Sequence, residues 1–331
     1  MTVSNVIHEY DIQKDEVILI SQNSSLVFPD KVGHHLIVDG ALGNDFAKII
    51  NLFTEIEKYS RDFTLWMSDF IYATNNYIYT RLAHEKRLKS LNLFDEGSLI
   101  YQLEDITRFQ VARRLAKFLL FKLRYRHFSK IPHTFRQLAS KIDMIFLYHN
   151  IDCLPASKKK KISFFKAVKL QYLKQISGVI AEAKTITGGD SFILLSGPYH
   201  RHMSATGFQR IVAEIKSKAK ERGFKNFFVK MHHTETQCDY EIFYKQNGFV
   251  EIFRGHQFPM ELLGGLLDSK VTIASINSSF FLNARLAGFK NPLVICGALQ
   301  SSSKIWWASN RDINLYFSLL VRLGVEYESW D

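Results

Sequence analysis

Cysteine is scarce. Cys153, Cys238 and Cys296 are the only three in 331 residues, and they lie far apart with no metal-ligand spacing. That argues against a disulfide-stapled scaffold and a cysteine-bound zinc site, and it fits a reducing cytoplasm. Long apolar runs are also lacking: none reaches the roughly 18 residues that a membrane-spanning helix needs. The opening Met1-Thr2-Val3-Ser4-Asn5 has neither the basic nor the apolar region of a secretory signal. There is no internal repeat and no low-complexity segment. These gaps leave a cytoplasmic protein, soluble or at most resting on a membrane.

Negative charge is the remaining shortage, with 32 Asp and Glu against 43 Lys and Arg, a formal net charge of +11. Such a surplus favours an anionic partner: nucleic acid, anionic lipid, or a phosphorylated or carboxylated substrate. What is abundant is core-forming material: 47% of residues are hydrophobic, and aromatics are plentiful. The length suits one large domain or two of ordinary size.

One short stretch, Phe94-Asp95-Glu96-Gly97-Ser98-Leu99-Ile100-Tyr101, organises the first half. An apolar strand from Lys89 runs into it and a helical pattern follows, so two adjacent carboxylates and a glycine sit at a strand end. Ligands gather at the carboxyl ends of strands in open α/β sheets. A carboxylate there can take a proton from a substrate hydroxyl within hydrogen-bond reach. Gly97 permits the tight turn that exposes the acids. Alone, Asp-Glu-Gly reads better as a capped turn with solvated acids.

Strands are expected at Val17–Ile20, His35–Val38, Phe63–Met67 and Met144–Tyr148. A helix carries Phe46, Ile49, Ile50, Phe53 and Ile56 after a capping Asn44, and another runs through Tyr77 to Leu88. Residues 107–127 form a basic amphipathic helix, with Val111, Ala112, Leu115, Ala116, Leu119 and Leu123 on one face. Arg113, Arg114, Lys117 and Arg124 share the opposite face, and Leu120 and Phe121 fall on or beside it. That pattern suits an anionic membrane surface, or a surface helix packed on a neighbour. The lysine run Lys158–Lys161 reads as a solvated segment at a domain boundary.

Beyond a helix over 164–184 and the turn Thr187-Gly188-Gly189-Asp190, the alternation restarts. Strands are expected at Phe192–Leu195, Asn226–Lys230, Phe249–Phe253, Val271–Ala274 and Pro292–Ile295. A helix through Ile211, Ile215 and Ala219 ends at Arg222-Gly223, a C-cap signature. A helix begins at Phe258-Pro259, and another follows the turn Ser275–Ser279. Alternating strands and helices predict parallel sheets with helices on their faces. The expected architecture is two successive α/β domains with a cleft between them: 1–157, then 158–310, with a helix in 311–331 returning to the first.

Polar groups of the second half join the acidic turn at strand ends. In Lys230-Met231-His232-His233, Lys230 and His232 share a face of an extended segment. Lysine supplies charge to a phosphate and histidine a transferable proton, although surface histidines at a strand end fit the same residues. In Pro259-Met260-Glu261 the carboxylate is favoured by the helix macrodipole and suited to accept both hydroxyls of a ribose. Ser278 and Ser279, before an apolar helix, can cap it, hold an anion at its N-terminus, or both.

The order acidic turn, Lys-x-His, Pro-x-Glu, Ser-Ser resembles the bacterial sialyltransferases with two Rossmann-like domains, the lipooligosaccharide sialyltransferase and capsule polysialyltransferase families. Their acidic-acidic-Gly, His-Pro and Ser-Ser or Ser-Thr motifs correspond to Asp95-Glu96-Gly97, His232-His233 and Ser278-Ser279, across about Phe63 to Ala298. His233 stands where the family has proline, and the family's opening strand is not recognisable before Val17.

The resemblance implies a GT-B type fold, with an acceptor-side first domain and a donor-binding second. The donor would be CMP-sialic acid, and the acceptor a hydroxyl of a lipooligosaccharide or capsule glycan. The implied reaction is an inverting displacement with Asp95 or Glu96 as base and His232 protonating or hydrogen-bonding the departing phosphate. Lys230, His233, Ser278 and Ser279 would contact the donor, Glu261 its ribose, and Gly97 and Ser98 of the acidic turn would contact substrate. No metal and no cofactor are implied, in keeping with the want of a convincing Asp-x-Asp motif. Two alternatives remain open on the residues: the same fold with another sugar nucleotide, or a basic nucleic-acid-binding protein. No recognised nucleic-acid motif is present, so no nucleic-acid partner is expected.

Overall fold

The structure is a computed structural model. It describes residues 2–13, 18–21, 34–37, 46–58, 62–67, 73–94, 112, 115–116, 118–120, 122–123, 135–149, 155–162, 169, 172–174, 176–197, 204–232, 235–256, 258–275, 278, 280–295, 318–323 and 328–330. The chain divides into two compact units, Met1–Val168 and Lys169–Asp331. The division falls later than residue 157 because the lysine run belongs to the first unit's sheet.

In the first unit, helix α1 (Thr2–Glu9) precedes strands β1 (Ile18–Ser21) and β2 (His34–Ile37), which form a parallel pair. Helix α2 (Phe46–Glu57), β3 (Phe63–Met67), α3 (Ala73–His84), β4 (Leu88–Phe94), the short helix α4 (Phe135–Ala139), β5 (Met144–Leu147) and β6 (Lys159–Lys161) follow. The last four strands make a sheet in the order β3-β4-β5-β6, all parallel. Leu52, Phe53 and Ile56 of α2 pack with Tyr77, Ile78 and Leu82 of α3 in one buried cluster, the helical spacing seen in the sequence. Val6 of α1, which the sequence reading did not foresee as helix, is buried against Phe146, Tyr148 and Ile162.

One expectation changes here. Lys159–Lys161 keeps Lys160 and Lys161 exposed, as a solvated segment would, but it is a strand that pairs in register with Ile145, Phe146 and Leu147 of β5. The apolar stripe of the basic helix is exposed at Leu119 and Leu123. Its described residues are helical, but Phe118 packs against the α2–α3 cluster and Leu115 is half-buried. That rotation leaves Leu119, Leu120 and Leu123 exposed by 57%, 70% and 87%. The helix therefore presents an apolar arc to its surroundings.

The second unit contains α5 (Ser177–Thr185), β7 (Ser191–Leu195), α6 (Ala205–Glu221) and β8 (Asn226–Lys230). A single turn, Gln237–Asp239, then runs into a π-helix over Tyr240–Lys245. Strand β9 (Val250–Glu251), a 3₁₀ helix Met260–Leu263, β10 (Thr272–Ser275), α7 (Phe280–Ala287), β11 (Pro292–Ile295) and β12 (Glu328–Trp330) complete the unit. The expected long helix over 164–184 is interrupted at Ile176, the strand over 249–253 shrinks to β9, and Pro259 is the N-cap of a 3₁₀ helix. Residues 318–322 are helical as expected, and within the Lys169–Asp331 unit strand β12 follows and pairs with β11.

The six-stranded sheet runs β12-β11-β10-β7-β8-β9, and all its pairings are parallel. Chain order reverses between β7 and β10, the switch point where α/β sheets of this kind bind ligands at their carboxyl ends. Phe192, Leu194, Phe227, Val229, Ala274 and Leu293 share one face and bury Phe208, Ile211, Val212, Ile215 and Ala219 of α6. Alternation puts Leu195, Lys230 and Ser275 on the other face. Helix α6 starts at Ser204, whose Oγ accepts from the Gly207 N–H at 3.1 Å, and ends where Gly223 adopts φ +90°.

Candidate functional site

The carboxyl end of β8 gathers the groups with chemistry. Lys230 is its last residue, half-buried, with Nζ 4.9 Å from the centre of the Phe258 ring. Burial pushes the Lys230 ammonium below the usual lysine range, and the nearby Glu261 carboxylate opposes that fall. Glu261 lies in the first turn of the 3₁₀ helix. Burial raises its carboxyl above the usual range, while its own backbone hydrogen bond and the Lys230 charge pull it down. A cation and an acid from separate sequence motifs are thus held within electrostatic reach of each other. Burial works against the charged form of each, and the other's charge opposes that only in part.

The 3₁₀ helix is held by its own close packing. The Lys169 ammonium donates to the Gly264 carbonyl at its C-terminal end. Gly264 admits no side chain, because a Cβ there would overlap the Ala287 carbonyl at the end of α7. Glu261 is therefore placed relative to α7 by backbone contact.

His232 follows two residues after β8. Its backbone N–H donates to Glu235 Oε2 at 2.8 Å, and its carbonyl accepts from the Glu235 N–H at 2.9 Å. The Glu235 carboxylate also accepts from the Ser196 hydroxyl, at the end of β7, and from the Tyr244 hydroxyl of the π-helix at 2.8 Å. The Ser196 and Tyr244 oxygens lie 2.6 Å apart. Burial raises the Glu235 carboxyl, and the hydrogen bonds from Ser196, His232 and Tyr244 work against it. Glu235, Ser196, Tyr244 and Phe258 were missed as site residues. The one signal for Glu235 was its place in the polar cluster just past a strand end.

At the end of β10, Ser275 is buried and its Oγ has no hydrogen-bond partner among the described residues. Ser278 caps α7: its Oγ accepts from the Phe280 N–H at 3.3 Å and its carbonyl from the Phe281 N–H at 3.2 Å. Capping is thus the role seen for Ser278, and it leaves the anion-binding role open. Strand β4 ends at Phe94, immediately before the acidic turn. Asp95, Glu96, Gly97, Ser98, His233 and Ser279 lie outside the described residues. The structure thus brings Lys230 against Phe258, three residues before Glu261, and sets His232 two residues beyond the end of the strand that Lys230 closes.

No protein-family model matches the sequence, and no curated protein matches it significantly. In structure, the chain is similar to the sialyltransferase of Photobacterium damsela, with 12% identity and a TM-score of 0.53 over 98% of this chain and 77% of that one. It is also similar to the UDP-GlcNAc 2-epimerase of Methanocaldococcus jannaschii, with 12% identity and a TM-score of 0.50 over 100% of this chain and 91% of that one. At such identities the likeness speaks for fold alone. The α/β chain with its parallel sheets has the GT-B type fold that the sequence led us to expect.

Proposed function

We propose that the protein is an inverting, metal-independent glycosyltransferase that moves sialic acid from CMP-sialic acid to a hydroxyl of a lipooligosaccharide or capsule glycan. The observation that carries this reading is the end of β8, where Lys230 lies with its Nζ 4.9 Å from the centre of the Phe258 ring, two residues before His232, while Glu261 follows Phe258 by three residues in the 3₁₀ helix. An anionic nucleotide needs positive charge, hydroxyl acceptors and a proton donor at its leaving phosphate, and these side chains supply them.

In this mechanism Asp95, or its neighbour Glu96, takes the proton from the acceptor hydroxyl, in a turn shaped by Gly97 and Ser98. The acceptor oxygen then bonds to the anomeric carbon as the bond from that carbon to the CMP phosphate oxygen breaks. His232 gives a proton or hydrogen bond to the departing phosphate, which Lys230, His233, Ser278, Ser279 and the α7 N-terminus hold. Glu261 holds the ribose. The Met1–Val168 unit serves the acceptor and the Lys169–Asp331 unit the donor.

A second reading keeps the fold and changes the nucleotide, and the likeness to a UDP-GlcNAc 2-epimerase favours it. Calorimetry with CMP, UMP, UDP and GDP, followed by release assays on CMP-sialic acid and UDP-GlcNAc, separates the two. CMP binding and CMP release from CMP-sialic acid are expected; UDP binding with turnover of UDP-GlcNAc would replace the first reading by the second.

The basic helix gives this enzyme a place at the cytoplasmic face of the membrane. No helix among the described residues is long and apolar enough to cross one. Leu119, Leu120 and Leu123 are exposed on a helix whose sequence also carries Arg113, Arg114, Lys117, Lys122 and Arg124. Apolar side chains enter the headgroup boundary while basic ones meet anionic lipid, each worth about 1 kcal/mol. Flotation with phosphatidylglycerol vesicles is expected to carry the protein at low salt and to lose it as salt screens the charges. Reversing Arg113, Arg114 and Lys117 to glutamate should release it while sparing transfer to a soluble acceptor. Failure of the wild type to float at low salt would remove the membrane role.

A further inference from the structure

We propose that Glu235 is a positioning residue that fixes the turn carrying His232 against the ends of β7 and β8. The role rests on the transfer reading above, in which His232 acts on the leaving phosphate. The turn is closed twice between the same residues, by the Glu235 N–H on the His232 carbonyl at 2.9 Å and by the His232 N–H on Glu235 Oε2 at 2.8 Å. The same carboxylate reaches Ser196 and Tyr244. Ser196 is itself tied to β8, its N–H donating to the Lys230 carbonyl at 3.0 Å. Tyr244 is fully buried, 5.0–6.5 Å ring contacts linking Phe208 of α6 with Phe243, Tyr244 and Phe249. Its hydroxyl reaches the carboxylate from a π-helix, a widened turn that recurs at functional sites. One half-buried carboxylate thus links the end of β7, the π-helix and the main chain of His232 beyond β8.

The chemistry separates the possible replacements. The His232 N–H is a backbone donor and needs an acceptor, whereas the Ser196 and Tyr244 hydroxyls can also accept. Glu235→Gln can keep the network, with its oxygen toward His232 and its NH₂ toward Tyr244. Glu235→Met keeps the length and leaves the His232 N–H unpaired.

The test is a double-mutant cycle on CMP release from CMP-sialic acid, with amide hydrogen exchange at His232 as a measure independent of activity. Glu235→Met is expected to lower kcat about tenfold, the scale of one lost buried hydrogen bond, with the donor KM within about threefold. Glu235→Gln should stay within about threefold of wild type. In a His232→Ala background, Glu235→Met should cost less than about twofold, since residues acting through one group are not additive. Exchange at the His232 amide should quicken in Glu235→Met and not in Glu235→Gln. Should Glu235→Met fail to fold, Tyr244→Phe takes its place, with a severalfold loss that also vanishes without His232.

A full penalty for Glu235→Met in the His232→Ala background, or wild-type kcat in Glu235→Met, overturns the positioning role alone. Wild-type kcat in His232→Ala, or no release of CMP by the wild type, overturns the transfer reading and this role with it. The exchange rates then still report whether the clamp exists.

Discussion

Replacing His232 by alanine is expected to lower donor turnover by about a hundredfold or more, the usual scale for a general acid–base group. Donor affinity should change much less, because a group that meets charge developing on a leaving phosphate acts most strongly in the transition state. The substitution is clean for a structural reason. The turn is held through the His232 backbone N–H and carbonyl, which alanine keeps, so only the imidazole is lost. Stopped-flow CMP release, read beside calorimetric CMP affinity, separates the two effects. If His232→Ala turned over normally and His233→Ala did not, the acid would be one residue further along. Equal losses in turnover and affinity would make His232 a binding group.

Replacing Asp95 by alanine is expected to abolish transfer while leaving CMP affinity within a few-fold of wild type. The two halves of this expectation have different sources. Loss of transfer follows from the place of Asp95 directly after the last residue of β4, where a carboxylate can meet an acceptor hydroxyl. Preserved affinity follows from the division of the chain, since Asp95 belongs to Met1–Val168 and the groups assigned to the nucleotide to Lys169–Asp331. Glu96→Ala is the necessary companion. A dead Glu96→Ala with an active Asp95→Ala would move the base by one residue, and normal transfer in both would end the acidic-turn hypothesis.

Much of the fold was legible wherever local pattern and tertiary role agree. Phe192–Leu195 is apolar without alternation, as a strand buried on both faces must be. Helix α6 announces itself by Ile211, Ile215 and Ala219 and by its terminal Gly223. Elements that depend on neighbours were not legible. The sequences of α1, β6 and β12 are unremarkable as local signals, and their pairing or packing partners supply the missing stabilisation. The basic helix shows the same limit from the other side. Its periodicity gave the helix, but not the packing of Phe118 against the α2–α3 cluster.

The candidate site divides in the same way. Lys230, His232, Glu261 and Ser278 were each readable as polar residues at strand ends or helix starts. That Lys230 reaches Phe258, just before the 3₁₀ helix of Glu261, depends on which sheet face β8 turns that way. Glu235 could be noticed beside His232, but Ser196 and Tyr244 are distant in sequence and converge on it only through folding.

The lysine strand β6 has a consequence for the protein's company. Among the described residues it ends the strand order of the four-stranded sheet, with Lys160 and Lys161 exposed, and an end strand is where another molecule's strand could add. A second copy adding itself there through the same strand would set lysines against lysines about 4.8 Å apart. The repulsion between them discourages that sheet from growing from chain to chain, so the most basic run in the sequence works as a guard against fibrous self-association.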